Sequence, residues 1–166
     1  MCNMKSLFRG LLFILLGLIM IVNTGVVSAK TSDTTDMEKS VVKKKTYYMV
    51  KTEEQLRSIG KGDYKLSYNY ILDSDIKLTK EWVPIGDDKN PFTGTFNGNG
   101  FTVSDLKITS KELKYIGLFG YVKGGTIYNV TLKNIDIDSA GSKGKSVGAI
   151  VAVCRDGHSY DNVVID

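Results

Sequence analysis

The stretch from Ile116 to Ile137, IGLFGYVKGGTIYNVTLKNIDI, has imperfect copies of its parts on both sides. Upstream, Val103-x-Asp105-Leu106-x-Ile108 matches Ile127-x-Asn129-Val130-x-Leu132 at an offset of 24 residues. Downstream, Tyr160-x-Asn162-Val163-x-Ile165 matches the same unit at an offset of 33. The first half recurs too: Ile116 to Val122 is echoed by Val147 to Val153. Self-similarity at 20–35 residues marks a solenoid, in which each repeat buries its apolar face only by stacking on the next.

The repeats read as strands. Val130, Leu132, Ile135 and Ile137 are spaced by two or three, a period-2 pattern with a bend where the spacing slips. Gly124-Gly125 precedes them as a turn, and β-branched residues dominate. A three-residue step between short strands suits a corner of a parallel β-helix. A hairpin meander is the competing reading, but hairpins do not need apolar positions aligned every 24 to 33 residues. The expected fold is therefore all-β, a parallel β-solenoid with a short helix at its start.

The same stretch resembles the GLUG-motif repeats of bacterial surface proteins, with Gly117-Leu118-Phe119-Gly120 as the motif. Tyr70 to Ile76, Trp82 to Gly86 and Phe92 to Gly100 are similar to the lead-in of such proteins, so the resemblance covers about residues 46–166. It implies a right-handed parallel β-helix in a secreted or surface-attached protein, of the kind found in adhesins and some IgA-specific metallopeptidases. Gly148-Ala149-Ile150-Val151 departs from the pattern by lacking the second glycine, which puts its local turn in doubt.

Residues 1–29 read as a signal peptide. Lys5 and Arg9 form a basic start, Gly10 to Val22 is apolar, and Val27-Ser28-Ala29 offers small residues for cleavage. The alternative is an uncleaved anchor, although the apolar run is shorter than the ~20 residues that span a bilayer. Removal lowers the formal net charge from +4 to +2, because the segment carries two bases and no acid. Such a balance leaves no footprint for nucleic acid. Cys2 would leave with the segment, and the bland reading of Cys154 is a small buried hydrophobe in a strand.

Residues 30–45 are polar and read as a flexible leader containing Lys43-Lys44-Lys45. Residues 46–67 read as an N-terminal cap, a strand at Thr46–Val50 followed by a helix over Thr52–Ile59. Thr52 is its N-cap and Gln55 completes a capping box. Residues 68–166 are the rungs, beginning with Tyr70, Leu72, Ile76 and Leu78. No closing segment follows Ile165, so the stack is expected to be incomplete, to self-associate, or to accept a strand from a partner at that edge.

Chemistry is sparse. His158, the sole histidine, sits in a Gly-His-Ser turn beside Asp156 and Asp161, without the geometry of a triad or a zinc site. Asp136 and Asp138 share one face of an alternating strand and could form a carboxylate pair for glycoside hydrolysis, where separations are roughly 5 to 9 Å. They could also serve Ca²⁺, though no liganding pattern supports it. No Lys or Arg recurs in register with these acids. Asn129 and Asn162, with Asp105, occupy equivalent places and read as a structural ladder at a corner. Trp82, Tyr115 and Tyr121 are candidate contact aromatics for an extracellular carbohydrate or protein. The expectation is an exported, non-catalytic interaction module without cofactor; the alternative is a polysaccharide-active enzyme, or a fragment of one, using the paired aspartates.

Overall fold

In a computed structural model of the chain, the structure describes residues 35–139, 146–156 and the backbone of 164–165. The segment read as a signal peptide, His158 and Asn162 lie outside the described residues.

Alternating apolar residues broken by Gly, Asn and Asp give short strands, and one capped segment gives a helix. In chain order these are β1 (Lys39–Val42), β2 (Lys45–Val50), α1 (Glu53–Ser58), β3 (Asn69–Leu72) and β4 (Ile76–Lys77). β5 (Thr95–Asn97), β6 (Thr102–Ser104), β7 (Lys107–Ile108), β8 (Tyr115–Ile116) and β9 (Phe119–Lys123) follow. Then come β10 (Thr126–Tyr128), β11 (Thr131–Lys133), β12 (Asp136–Ile137), β13 (Ser146–Val147), β14 (Val151–Arg155) and β15 (Val164–Ile165). The protein is all-β, with small sheets and, among the described residues, a single helix.

Two sheets run β1-β2-β3-β5-β10 and β15-β11-β6-β4, and three further pairs are β12–β7, β13–β8 and β14–β9. Only β1–β2 is antiparallel; every other named pair is parallel. Parallel neighbours must be far apart in sequence, and the register lines up like with like. Tyr70 pairs with Phe96, which pairs with Ile127. Ile76 pairs with Val103, which pairs with Leu132, which pairs with Ile165. These columns form the core: Tyr70, Phe96, Ile127, Val103 and Leu132 are all fully buried. At roughly 1.5–3 kcal/mol for each large apolar side chain removed from water, they dominate the driving force.

The offset of 24 residues is not the stacking register. Val103 pairs with Leu132 and Ile108 with Ile137, an offset of 29, while Ile127 lies over Phe96. The physical reason is a five-residue unit that recurs on consecutive faces. Ile127-x-Asn129-Val130-x-Leu132 runs directly into Leu132-x-Asn134-Ile135-x-Ile137. Both match Val103 to Ile108, so a pattern match can fall one face away. The corner ladder changes accordingly. Asp105 faces Asn134, whose side-chain amide donates to Asp105 Oδ1 at 3.0 Å, and Asn129 faces Asn97, donating to its Oδ1 at 3.4 Å. Asp105, Asn129 and Asn134 all hold left-handed backbone, with φ of 60°, 53° and 53°, which Asn and Asp tolerate better than other non-glycine residues. The offset of 33 stands, with Leu132 beside Ile165. Ile116 pairs with Val147 as the echo predicts, but Phe119 pairs with Val151, a slip of one residue across Gly148 to Ile150.

The motif Gly117-Leu118-Phe119-Gly120 is explained by what lies on either side. Leu118 and Phe119 are fully buried. A Cβ on Gly120 would collide with the carbonyl oxygen of Gly86 on one neighbouring pass, and one on Gly117 with that of Gly148 on the other. Two backbones therefore close on this segment from opposite sides, and only glycine leaves room.

The start of the fold differs from expectation. Among the described residues strand structure begins at Lys39, within the stretch read as a leader, and Lys43 and Lys44 are the turn of the β1–β2 hairpin, with φ of 49° and 67°. An antiparallel strand thus covers the outer edge of β2, while β2 itself pairs with β3. The helix and its N-cap lie where expected, but the Gln55 side chain reaches Lys51, one residue before the N-cap of a capping box. Thr52 Oγ1 accepts from the backbone N–H of Gln55 at 3.2 Å, and Gln55 Oε1 accepts from the N–H of Lys51. Leu56 and Ile59 are buried. Glu53 ties the helix to the first turn, accepting from the backbone and hydroxyl of Thr79 at 2.9 and 2.7 Å and from Arg57 Nε at 2.7 Å.

Cys154 is exposed, which corrects the buried reading. It occupies the position over Val122, a core column, but has a strand on one side only among the described residues.

Candidate functional site

Residues just past the strands of the β4–β6–β11 sheet line a groove of about 440 Å³. Three passes contribute: Leu78 to Glu81, then Asp105 and Lys107, then Asn134 to Asp136. The alternation read in the sequence is present here. Ile135 and Ile137 pack toward the core, and Asp136 and Asp138 are exposed.

Their surroundings differ from the expectation of unaccompanied acids. Lys107 is the register partner of Asp136, and its ammonium lies 3.2 Å from Asp136 Oδ2. Lys77 lies 3.4 Å from Asp105 Oδ2. One lysine, Lys107, does therefore stand in register with an acid, while Lys77 is the register partner of Ser104 and reaches Asp105 from beside it. Asp138, whose backbone N–H donates to Ile108 O at 2.9 Å, does not line the groove. Glu81, which sequence reasoning missed, does. Its Oε1 accepts from the hydroxyl and backbone N–H of Thr109 at 2.8 and 2.7 Å, and these bonds hold its pKa below the usual carboxylate value. The signal that would have found it is the 27-residue offset of Ile76 from Val103, which places this loop beside Lys107.

The aromatic candidates separate. Trp82 is 1% exposed, so it is core rather than contact surface. Its indole N–H donates to Leu118 O at 3.0 Å, and the Arg57 guanidinium sits 4.9 Å from the ring centroid. Tyr115 and Tyr121 are half-buried and meet edge to face at 5.2 Å. Tyr115 donates its hydroxyl to Asp88 Oδ2 at 3.1 Å, beside the Lys114 ammonium at 2.9 Å. Hydrogen bonds from Lys114, and then from Tyr115, hold the Asp88 carboxyl below its ordinary pKa. This second patch borders a separate groove lined by Pro84, Asp88, Glu112 and Tyr115. Gly117, Leu118, Phe119 and Gly120 are structural, as described above.

Among the described residues no group of three or more His, Cys, Asp or Glu is placed to hold a metal ion. No helix among them is long and apolar enough to cross a membrane.

No family model matches the chain. No solved structure matches it. Over 138 residues it is 32% identical to a protein of Evansella cellulosilytica named as a Gly-rich membrane protein, covering 74% of this chain and 15% of that protein. Over 123 residues it is 30% identical to Halomucin of Haloquadratum walsbyi, covering 62% of this chain and 1% of that protein. The chain thus spans a small fraction of the length of the curated relatives it matches.

Proposed function

We propose that this chain is a stretch of parallel β-solenoid of the GLUG-motif type, exported to the cell surface or beyond, and that it works as a non-catalytic interaction module for an extracellular carbohydrate or protein. The observation that carries the reading is the set of parallel columns, such as Ile76–Val103–Leu132–Ile165, joined at left-handed Asp and Asn corners. A relative named as a membrane protein and another named Halomucin fit a surface setting.

The absence of catalysis rests on the state of the acids. A glycosidase needs one carboxyl with a raised pKa to protonate the leaving group. Glu81 is shifted the other way, and Asp136 is engaged by a lysine.

The test is expression of the full chain in a bacterial host, followed by fractionation and a reducing-end assay on neutral and acidic polysaccharides. Recovery at the cell surface or in the medium, with no new reducing ends, is expected. Retention in the cytoplasm would sink the export reading, and new reducing ends would restore the polysaccharide-active enzyme.

A further inference from the structure

We propose that the groove between Glu81 and Asp136 binds a neutral, hydroxyl-rich polymer, a linear glycan lying across the three successive passes that line it. The inference deepens the interaction-module reading and rests on it.

Charge selects the ligand class. The lining sets Lys80 and Lys107 against Glu81, Asp105 and Asp136, a net charge of only −1, and Lys77 at the rim, 3.4 Å from Asp105, offsets it, so neither sign dominates. A polyanion or polycation would find as much repulsion as attraction. A ligand whose groups both donate and accept finds partners throughout, because carboxylates only accept, ammonium groups only donate, and the Asn134 amide does both.

The polar groups are also exchangeable. The Lys107–Asp136 pair is 59% and 63% exposed, and the Lys77–Asp105 pair 75% and 33%. Exposed pairs of this kind contribute little net stability. A hydroxyl can therefore insert between the partners, donating to the carboxylate and accepting from the ammonium. Leu78 and Ile135 give the groove an apolar component against which the C–H face of a sugar ring can lie. That mixture, apolar lining with a few placed polar groups, is the usual make-up of a small-molecule site.

Length follows from construction. The three passes step along the stack by roughly 4.8 Å each, and each presents a polar side chain at the corner. An extended chain meets all three, whereas a monosaccharide meets one.

The experiment is titration calorimetry of the full chain with cellohexaose, chitohexaose and mannohexaose as neutral probes, and hexagalacturonate and heparin as anionic ones. Lys107→Ala and Asp136→Ala alter the groove, and Lys114→Ala, in the other groove, is the control; circular dichroism confirms that each is folded. Binding of at least one neutral hexasaccharide is expected, weakened about tenfold or more by each groove variant, since a bond to a charged group is being removed. Lys114→Ala should bind as the parent does. No binding of any neutral probe, binding of the anionic probes alone, or neutral binding untouched by the groove variants would each overturn the proposal. Probe cleavage that the groove variants abolish would uphold the site and overturn only the non-catalytic reading.

Discussion

The Asn134 side-chain amide donates to the carboxylate of Asp105 at 3.0 Å, and the two residues hold the same left-handed backbone at adjoining corners. Each corner thus depends on a residue that tolerates positive φ and can bond to its neighbour.

Asn134→Ala removes the bond and leaves at positive φ a residue without the short polar side chain that lets Asn tolerate it, costing about 1–3 kcal/mol in all. Asn134→Gly removes the same bond but also takes the β-carbon out of the left-handed region, and should cost roughly half as much. Denaturant titration of the two variants checks the order; equal losses would mean the backbone conformation contributes nothing.

Gly120→Ala places a methyl group against the Gly86 carbonyl oxygen, a backbone atom that cannot rotate away. Overpacking of this kind costs about 1–3 kcal/mol. Gly124→Ala, where nothing stands within 4 Å of the added carbon but φ is 66°, should cost only the smaller conformational penalty, about 1 kcal/mol. Comparing melting temperatures of the two separates close approach from backbone conformation.

Trp82→Phe keeps most of the packing and removes the indole donor to Leu118 O, which still accepts from the Ile85 backbone N–H at 3.0 Å. A loss of about 0.5–1.5 kcal/mol is expected by denaturant titration, with glycan binding unchanged once the protein is folded. Loss of binding in a folded variant would return Trp82 to the contact surface from which its burial removes it.

Glu53 sets an acid limit. Burial pushes its carboxyl up, and the hydrogen bonds from Thr79 and Arg57 outweigh burial, leaving the pKa below 4.5. A depressed pKa gives stability that is complete above the unfolded value and is lost as pH falls through the folded one. The melting-temperature gap between the parent and Glu53→Gln should therefore be widest near neutrality and narrow below about pH 4.5. A gap that stays constant down to pH 2 would mean the carboxylate charge is irrelevant.

What the sequence made legible is what depends on neighbours along the chain. Thr52 and Gln55 mark the helix start because a cap is a local device. Ile135 and Ile137 turn inward because side chains alternate. The pairing of Ile116 with Val147 was visible because the motif around it is distinctive. The register of Val103 to Ile108 was not, since Ile127 to Leu132 and Leu132 to Ile137 present the same five-residue face and only tertiary packing decides between them. That one uncertainty hid Lys107 from Asp136, and with it the balanced charge of the groove. Trp82 was ambiguous for another reason: an indole with one polar atom suits either a surface or a core that offers it an acceptor.

The columns keep their alignment although the chain between their members lengthens, from Ile76 to Val103, then to Leu132, then to Ile165. Extra residues are thus taken up in the excursions between columns. Such a scaffold separates inheritance from innovation: an excursion can lengthen while the column members on either side of it keep their places, so the exterior can diverge over an interior that hardly changes.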